Sequence, residues 1–288
     1  MPGGPRLIRE ELIEQAYFFR AVRQRLEEGW PTQDVLVHLQ GELLATTRMP
    51  LAVDFMSAQL KHGGRICDAM AGLPHYFTGF QTYVVSQAES EQARFTFSQA
   101  MLILEREAEY KAEGAGAPGL FVYQLETLTR NQLGYLDGMM AMESDSEYDE
   151  NWRQFIGFVR SQAGLMDFAE LIFIRSEHHV AERRKIDSDY EPKRLPLFGD
   201  KEGRIAAANR GRDPNYLFAA LQRQLGFPVV PRPPKQSAAV REMDELKRRM
   251  KALEGKLQIL EGDVFNRTDP TAFVSKDPTK KARPKEPT

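Results

Sequence analysis

Glu177-His178-His179, flanked by Glu170 and Glu182, is the cluster in this chain whose residue types suit metal ligation. Carboxylates and imidazoles supply the oxygen and nitrogen donors that zinc or iron takes, provided the backbone aims them at one point. On a single long helix, Glu170 and Glu177 would share one face two turns apart, and His178 would share another with Glu182. A helical di-iron centre needs Glu-x-x-His on each of two helices plus two further carboxylates. That pair of motifs is missing, and so is His-Glu-x-x-His. The cluster reads instead as a solvated helix end running into Ala-Glu-Arg-Arg-Lys, and no metal or cofactor is expected.

Other reactive residue types are scattered. His38, His62 and His75 have no partners at catalytic spacing, and His62 beside Gly63-Gly64 fits a cation near a helix C-terminus. The single cysteine, Cys67, sits in a short apolar piece and reads as a small buried hydrophobe. It cannot form an internal disulfide, which fits a reducing, cytoplasmic setting. No serine lies in Gly-x-Ser-x-Gly. Nucleophilic catalysis is not expected, and neither is an enzyme.

Basic residues offer a different chemistry. Gly199–Arg204 and Asn209–Pro214 loosely resemble phosphate-binding loops but lack the P-loop lysine motif. Arg204, Arg210, Arg212 and Arg223 could contact the phosphates of a nucleic acid, an attraction largely independent of sequence. The alternative is that they pair with carboxylates. Residues 1–182 carry a net charge of −11 and residues 183–235 one of +6, within a chain of net −2. An acidic body thus offers partners for the basic segment.

The elements that must position these residues read as helices throughout. From Arg6 to Glu28, Ile8, Leu12, Ala16, Phe19, Val22 and Leu26 recur every three or four positions. Gly29 ends that helix, and Pro31 favours a new one carrying Val35, Leu36, Leu39, Leu43 and Leu44. Pro50 opens a third, which Gly63-Gly64 stops, and Arg65–Ala71 forms a short fourth. Pro74 is expected to head a fifth helix and Glu89 a sixth. Beyond the flexible Gly114–Gly119, one helix is expected over Leu120–Met142 and a long one over Trp152–Lys185, with an acidic loop, ESDSEYDE, between them. Asp213-Pro214 starts a last helix that Gly226 stops, and VVPRPP reads as an extended linker. Met243, Leu246, Met250, Leu253, Leu257, Leu260 and Val264 follow an a/d heptad pattern, interrupted by Gly255. The tail from 265 is polar, basic and expected to be disordered. No apolar run is long enough to cross a bilayer. The fold class is therefore all-α, with a helical bundle over 1–113, a second helical region over 120–228 with a basic C-terminal part, a coiled-coil helix over 236–264 and a tail over 265–288.

The stretch from Tyr17 to Tyr110 resembles the soluble helical domain of the type II secretion system protein F family. The features that carry the likeness are FFRAVRQRLEEGWP with its Gly29-x-Pro31 turn, LKHGG before Ala69-Met70, then Pro74, Phe77, Glu89 and LEREAEY. The family's Gly-Glu-x-x-Gly-x-Leu turn stands here as AESEQAR, without its glycines, and the transmembrane helices that follow that domain in the family have no counterpart. The resemblance implies a six-helix fold and a protein-docking role. Together these readings give the functional expectation. It is a non-enzymatic cytoplasmic scaffold or adaptor that docks a protein partner in a secretion-type assembly, needs no cofactor, and forms a homo-oligomer through 236–264. The alternative is a nucleic-acid-associated protein using the basic 183–235 segment and the tail. Neither reading involves membrane insertion.

Overall fold

Helix punctuation in the sequence acts within a few residues, and most of it is obeyed. The computed structural model describes residues 6–90 and 96–232, and among them there are thirteen helices and no strand beyond an isolated parallel bridge, Ser176 to Phe198. The all-α class holds. Helix α1 (Arg9–Glu27) and helix α6 (Phe97–Ala112) form the most extensively packed pair. Phe19 and Val22 of α1 and Met101, Ile103 and Leu104 of α6 are buried, while Arg20 and Arg23 pair with Glu105 at the rim of the core. Helix α2 (Thr32–Leu39) begins directly after Pro31 but ends at Leu39, so Leu43 and Leu44, expected on it, lie in the following turn. Helix α3 (Met49–Lys61) and helix α4 (Ile66–Ala71) complete the first half as expected.

Two expected helix starts move. Helix α5 (Gly79–Ala88) begins five residues after Pro74, and α6 begins at Phe97 rather than Glu89. The cause is a pair of capping boxes. The Thr78 hydroxyl accepts from the Gln81 N–H at 3.3 Å and the Gln81 side chain accepts from the Thr78 N–H at 3.1 Å. Thr96 and Gln99 repeat the arrangement at 3.2 and 3.1 Å. Each box satisfies two backbone donors that a helix cannot pair internally. Glu89 closes α5 and turns back, its carboxylate accepting from the N–H groups of Ile66 and Cys67 at 2.9 Å each.

The helix expected over 120–142 is two helices, α7 (Ala117–Arg130) and α8 (Tyr135–Glu143). Gln132 adopts φ of +54°, a left-handed conformation that glycine usually provides. The Leu133 N–H reaches the Leu128 carbonyl at 2.9 Å and the Gln132 N–H reaches that of Thr129 at 3.3 Å, the Schellman closure of a helix end. Leu133 is buried by it. The long helix expected over 152–185 is three helices: α9 (Glu150–Gln162), α10 (Phe168–Phe173) and α11 (Glu177–Ile186). Gly164, at φ of +81°, breaks the first junction. Ser176 caps α11 through the His179 N–H at 3.2 Å. The loose phosphate loop at 199–204 is instead the start of helix α12 (Asp200–Ala208). Helix α13 (Pro214–Leu225) starts and stops where Asp213-Pro214 and Gly226 place it.

Side chains from both sides of Gly114–Gly119 enter a single buried core. Phe121, Trp152, Phe155 and Phe198 form its aromatic centre, with ring centroids 5.3 to 6.1 Å apart. After Gly226 the chain is extended, but it is not a free linker up to Arg232. Phe227 and Val230 are buried, Arg106 donates to the Val229 carbonyl, and Gln99 donates to that of Arg232 at 2.8 Å. The described residues, 6–90 and 96–232, belong to one compact unit. The heptad residues Met243 to Val264 and the 265–288 tail lie outside the described residues. No helix among the described residues is long and apolar enough to cross a membrane.

Candidate functional site

Helix α6 continues its apolar face, Ala100 and Leu104, with two charged residues, Glu107 and Lys111, one turn apart. Both are buried, and they meet Gln124 from α7 and Asp145 and Tyr148 from the acidic stretch after α8. The Lys111 ammonium lies 2.6 Å from Asp145 Oδ2 and 3.5 Å from Glu107 Oε1. Gln124 Nε2 donates to Glu107 Oε1 at 2.6 Å and to Asp145 Oδ2 at 3.2 Å. The Tyr148 hydroxyl donates to Gln124 Oε1 at 2.8 Å, and the Glu147 N–H donates to Asp145 Oδ1 at 3.1 Å. Four of these contacts cross between α6, α7 and the 144–149 turn and tie them together.

With every member ionised, the acid–lysine–acid group would carry a net −1 away from water. Burial is the main influence on Glu107 and pushes its carboxyl up, against the opposing pull of Lys111. Burial also works against the Lys111 ammonium, but Asp145 and Glu107 outweigh it and the net shift is upward. Burial thus favours the neutral form of Glu107, while Lys111 and Asp145 form the ion pair of the group, and Glu107 Oε2 has no hydrogen-bond partner among the described residues. Such a group locks three segments together. No member is open enough to meet a substrate, so its chemistry is that of a structural clasp.

The residues picked from sequence are spread out. Glu170 lies on α10, not on the helix of Glu177, and its carboxylate holds Arg210 Nε at 2.5 Å. Arg210 also stacks 3.7 Å from the Phe173 ring centroid. His178 Nδ1 is 2.9 Å from Asp200 and its Nε2 is 3.4 Å from Glu182. His179 sits edge-on to Phe173 at 4.9 Å, and burial followed by the Arg183 charge holds its imidazole below the usual range. Glu177 is exposed at the α11 start. Among the described residues no group of three or more His, Cys, Asp or Glu is arranged to hold a metal. Arg204 pairs with Asp200 at 2.8 Å, whereas Arg212 and Arg223 are exposed. Two of the four arginines therefore meet carboxylates of the same chain. Cys67 is buried, and burial, then Glu89, pushes its thiol up to about 12.

The sequence did carry a signal for the clasp: Glu107 and Lys111 fall on the three-and-four spacing of the apolar face of α6. The surface has a second feature. Among the described residues, eight of the fifteen exposed large apolar side chains fall between Ile8 and Phe55, on α1, α2, α3 and their connections. Leu51, 70% exposed, and Phe55, 36% exposed, are four residues apart on the outer side of α3, whose inner side buries Val53 and Met56. Comparisons with protein-family models, with curated proteins and with solved structures each gave no match.

Proposed function

We propose that the protein is a non-enzymatic adaptor that docks another protein through the outer face of α1–α3. The observation that carries this reading is the concentration of exposed apolar side chains there, with Leu51 and Phe55 as neighbouring anchors on one helix. The likeness of 17–110 to the secretion protein F domain makes a secretion-type assembly the context to test first. Self-association through Met243 to Val264 is the second half of the proposal, resting on the heptad spacing alone. The test is capture from native lysate with the full chain and with a Leu51→Glu/Phe55→Glu variant, each with and without nuclease. Partners that survive nuclease and are lost with the double variant support docking at α3, and an identical set on both baits rejects it. Light scattering of the full chain and of a form lacking 236–288 tests assembly: a monomer in both cases ends that half.

The nucleic-acid reading keeps one supporting observation. Helix α11 buries none of its residues, and its last turn carries Arg183, Arg184 and Lys185. Loss of every captured partner on nuclease treatment would move this reading to the front.

A further inference from the structure

Arg175 connects α10 to α11 and is 6% exposed. Its guanidinium lies over the Phe155 ring, 5.4 Å from the centroid. Nε and Nη1 are both buried and neither has a hydrogen-bond partner among the described residues. A buried arginine ordinarily sits opposite a carboxylate, because a desolvated charge without a partner is costly. Burial first, and then the charge of another cation, Arg194, hold the Arg175 guanidinium below its ordinary value. Arg194 is exposed and lies over Phe158, 5.8 Å from its ring centroid. Phe155 and Phe158 are three residues apart on α9, so the two guanidinium groups rest on neighbouring rings of one helix face. Neither arginine forms an ion pair or a side-chain hydrogen bond among the described residues. The backbone on this side is held independently, since the Arg175 carbonyl accepts from Leu197 at 2.7 Å and from Phe198 at 3.1 Å.

We infer that Arg175 and Arg194, set on Phe155 and Phe158, form a binding site for a phosphate dianion, either free or as a phosphoryl monoester. Two guanidinium charges over neighbouring rings match a group with about two negative charges, and a phosphate group carries roughly −1.5 to −2 at neutral pH. Its oxygens match the planar donor edges of guanidinium, which bind such groups through paired hydrogen bonds. A single carboxylate would leave one cation uncompensated. The aromatic rings stabilise the two guanidinium groups, as rings do beneath cations.

The test is calorimetric titration of the full chain with inorganic phosphate, and separately with phosphoserine, in buffer held at constant ionic strength with chloride. Saturable one-to-one binding of phosphate is expected, weakened roughly tenfold or more by Arg175→Met, the loss of one or two charge-assisted hydrogen bonds. Arg194→Gln, at an exposed position, is expected to weaken binding while leaving circular dichroism unchanged, which separates loss of the site from loss of the fold. Binding of phosphate together with phosphoserine supports a site open to monoesters, and phosphate alone supports a site for the free ion. Absence of saturable binding by either, or binding untouched by both substitutions, overturns the inference.

Discussion

Replacing Lys111 by methionine removes the one cation from the buried clasp while roughly preserving its length. In the native protein the ammonium sits 2.6 Å from Asp145 and 3.5 Å from Glu107, with 3% of its side chain exposed. Truncating one partner of a buried pair typically costs about 3–5 kcal/mol, because the other charge stays behind without compensation. Burial favours the neutral form of Glu107, so the charge left behind is chiefly that of Asp145. That carboxylate keeps Gln124 at 3.2 Å and the Glu147 N–H at 3.1 Å. The lower end of the range, about 3 kcal/mol, is therefore expected. That is a large part of the roughly 5–15 kcal/mol by which domains are stable. Urea unfolding should show a lower midpoint at unchanged slope, and the melting temperature should fall by roughly 6–12 °C. A triple variant, Glu107→Gln, Lys111→Met and Asp145→Asn, removes the stranded negative charge as well and should recover at least half of the loss. A Lys111→Met protein within about 1 kcal/mol of the parent would refute the clasp as a stabilising element.

The raised carboxyl of Glu107 sets a pH dependence of definite sign. The folded state holds this proton from the ordinary value of 4.5 up to the raised one, so its contribution is full below 4.5 and is lost as pH rises through the folded value. Glu107→Gln should flatten the fall in urea midpoint across that window, and identical slopes in both proteins would contradict the assignment. Glu89→Ala frees two N–H groups at the start of α4 and should cost about 1–2 kcal/mol, whereas Glu89→Gln retains an acceptor and should cost less than half of that. Equal losses from the two variants in urea unfolding would show that capping is not the cause. The Cys67 thiol, pushed from 9.0 to about 12, should react with iodoacetamide at pH 8 about a thousandfold more slowly than in the unfolded chain. A native rate within tenfold of the unfolded one would count against that environment.

Much of the helical pattern was legible in the residue order, because caps and stops act within a turn. Pro31, Pro50, Asp213-Pro214 and Gly226 mark boundaries that the fold obeys. Thr78-x-x-Gln81 and Thr96-x-x-Gln99 are equally local signals, and they, not Pro74 and Glu89, set the starts of α5 and α6. Gln132 is different, since nothing about a glutamine announces a left-handed turn. Leu133 becomes buried only when the chain turns there, and that gain belongs to the packed core. The arginines show the same division. Their basicity is plain in the sequence, yet Arg210 is paired with Glu170 while Arg175 has no carboxylate partner among the described residues, a difference that nothing in the local sequence marks.

By itself, then, the sequence determined the all-α class, the single buried cysteine and most helix limits, since these depend on periodicity and on hydrogen bonds reaching three or four residues. The tertiary structure alone decided that Glu107, Lys111, Gln124 and Asp145 meet out of water, and that Arg175 faces an aromatic ring instead of an acid. Burial and the pairing of charges depend on neighbours that are distant along the chain, and only the folded core brings those together.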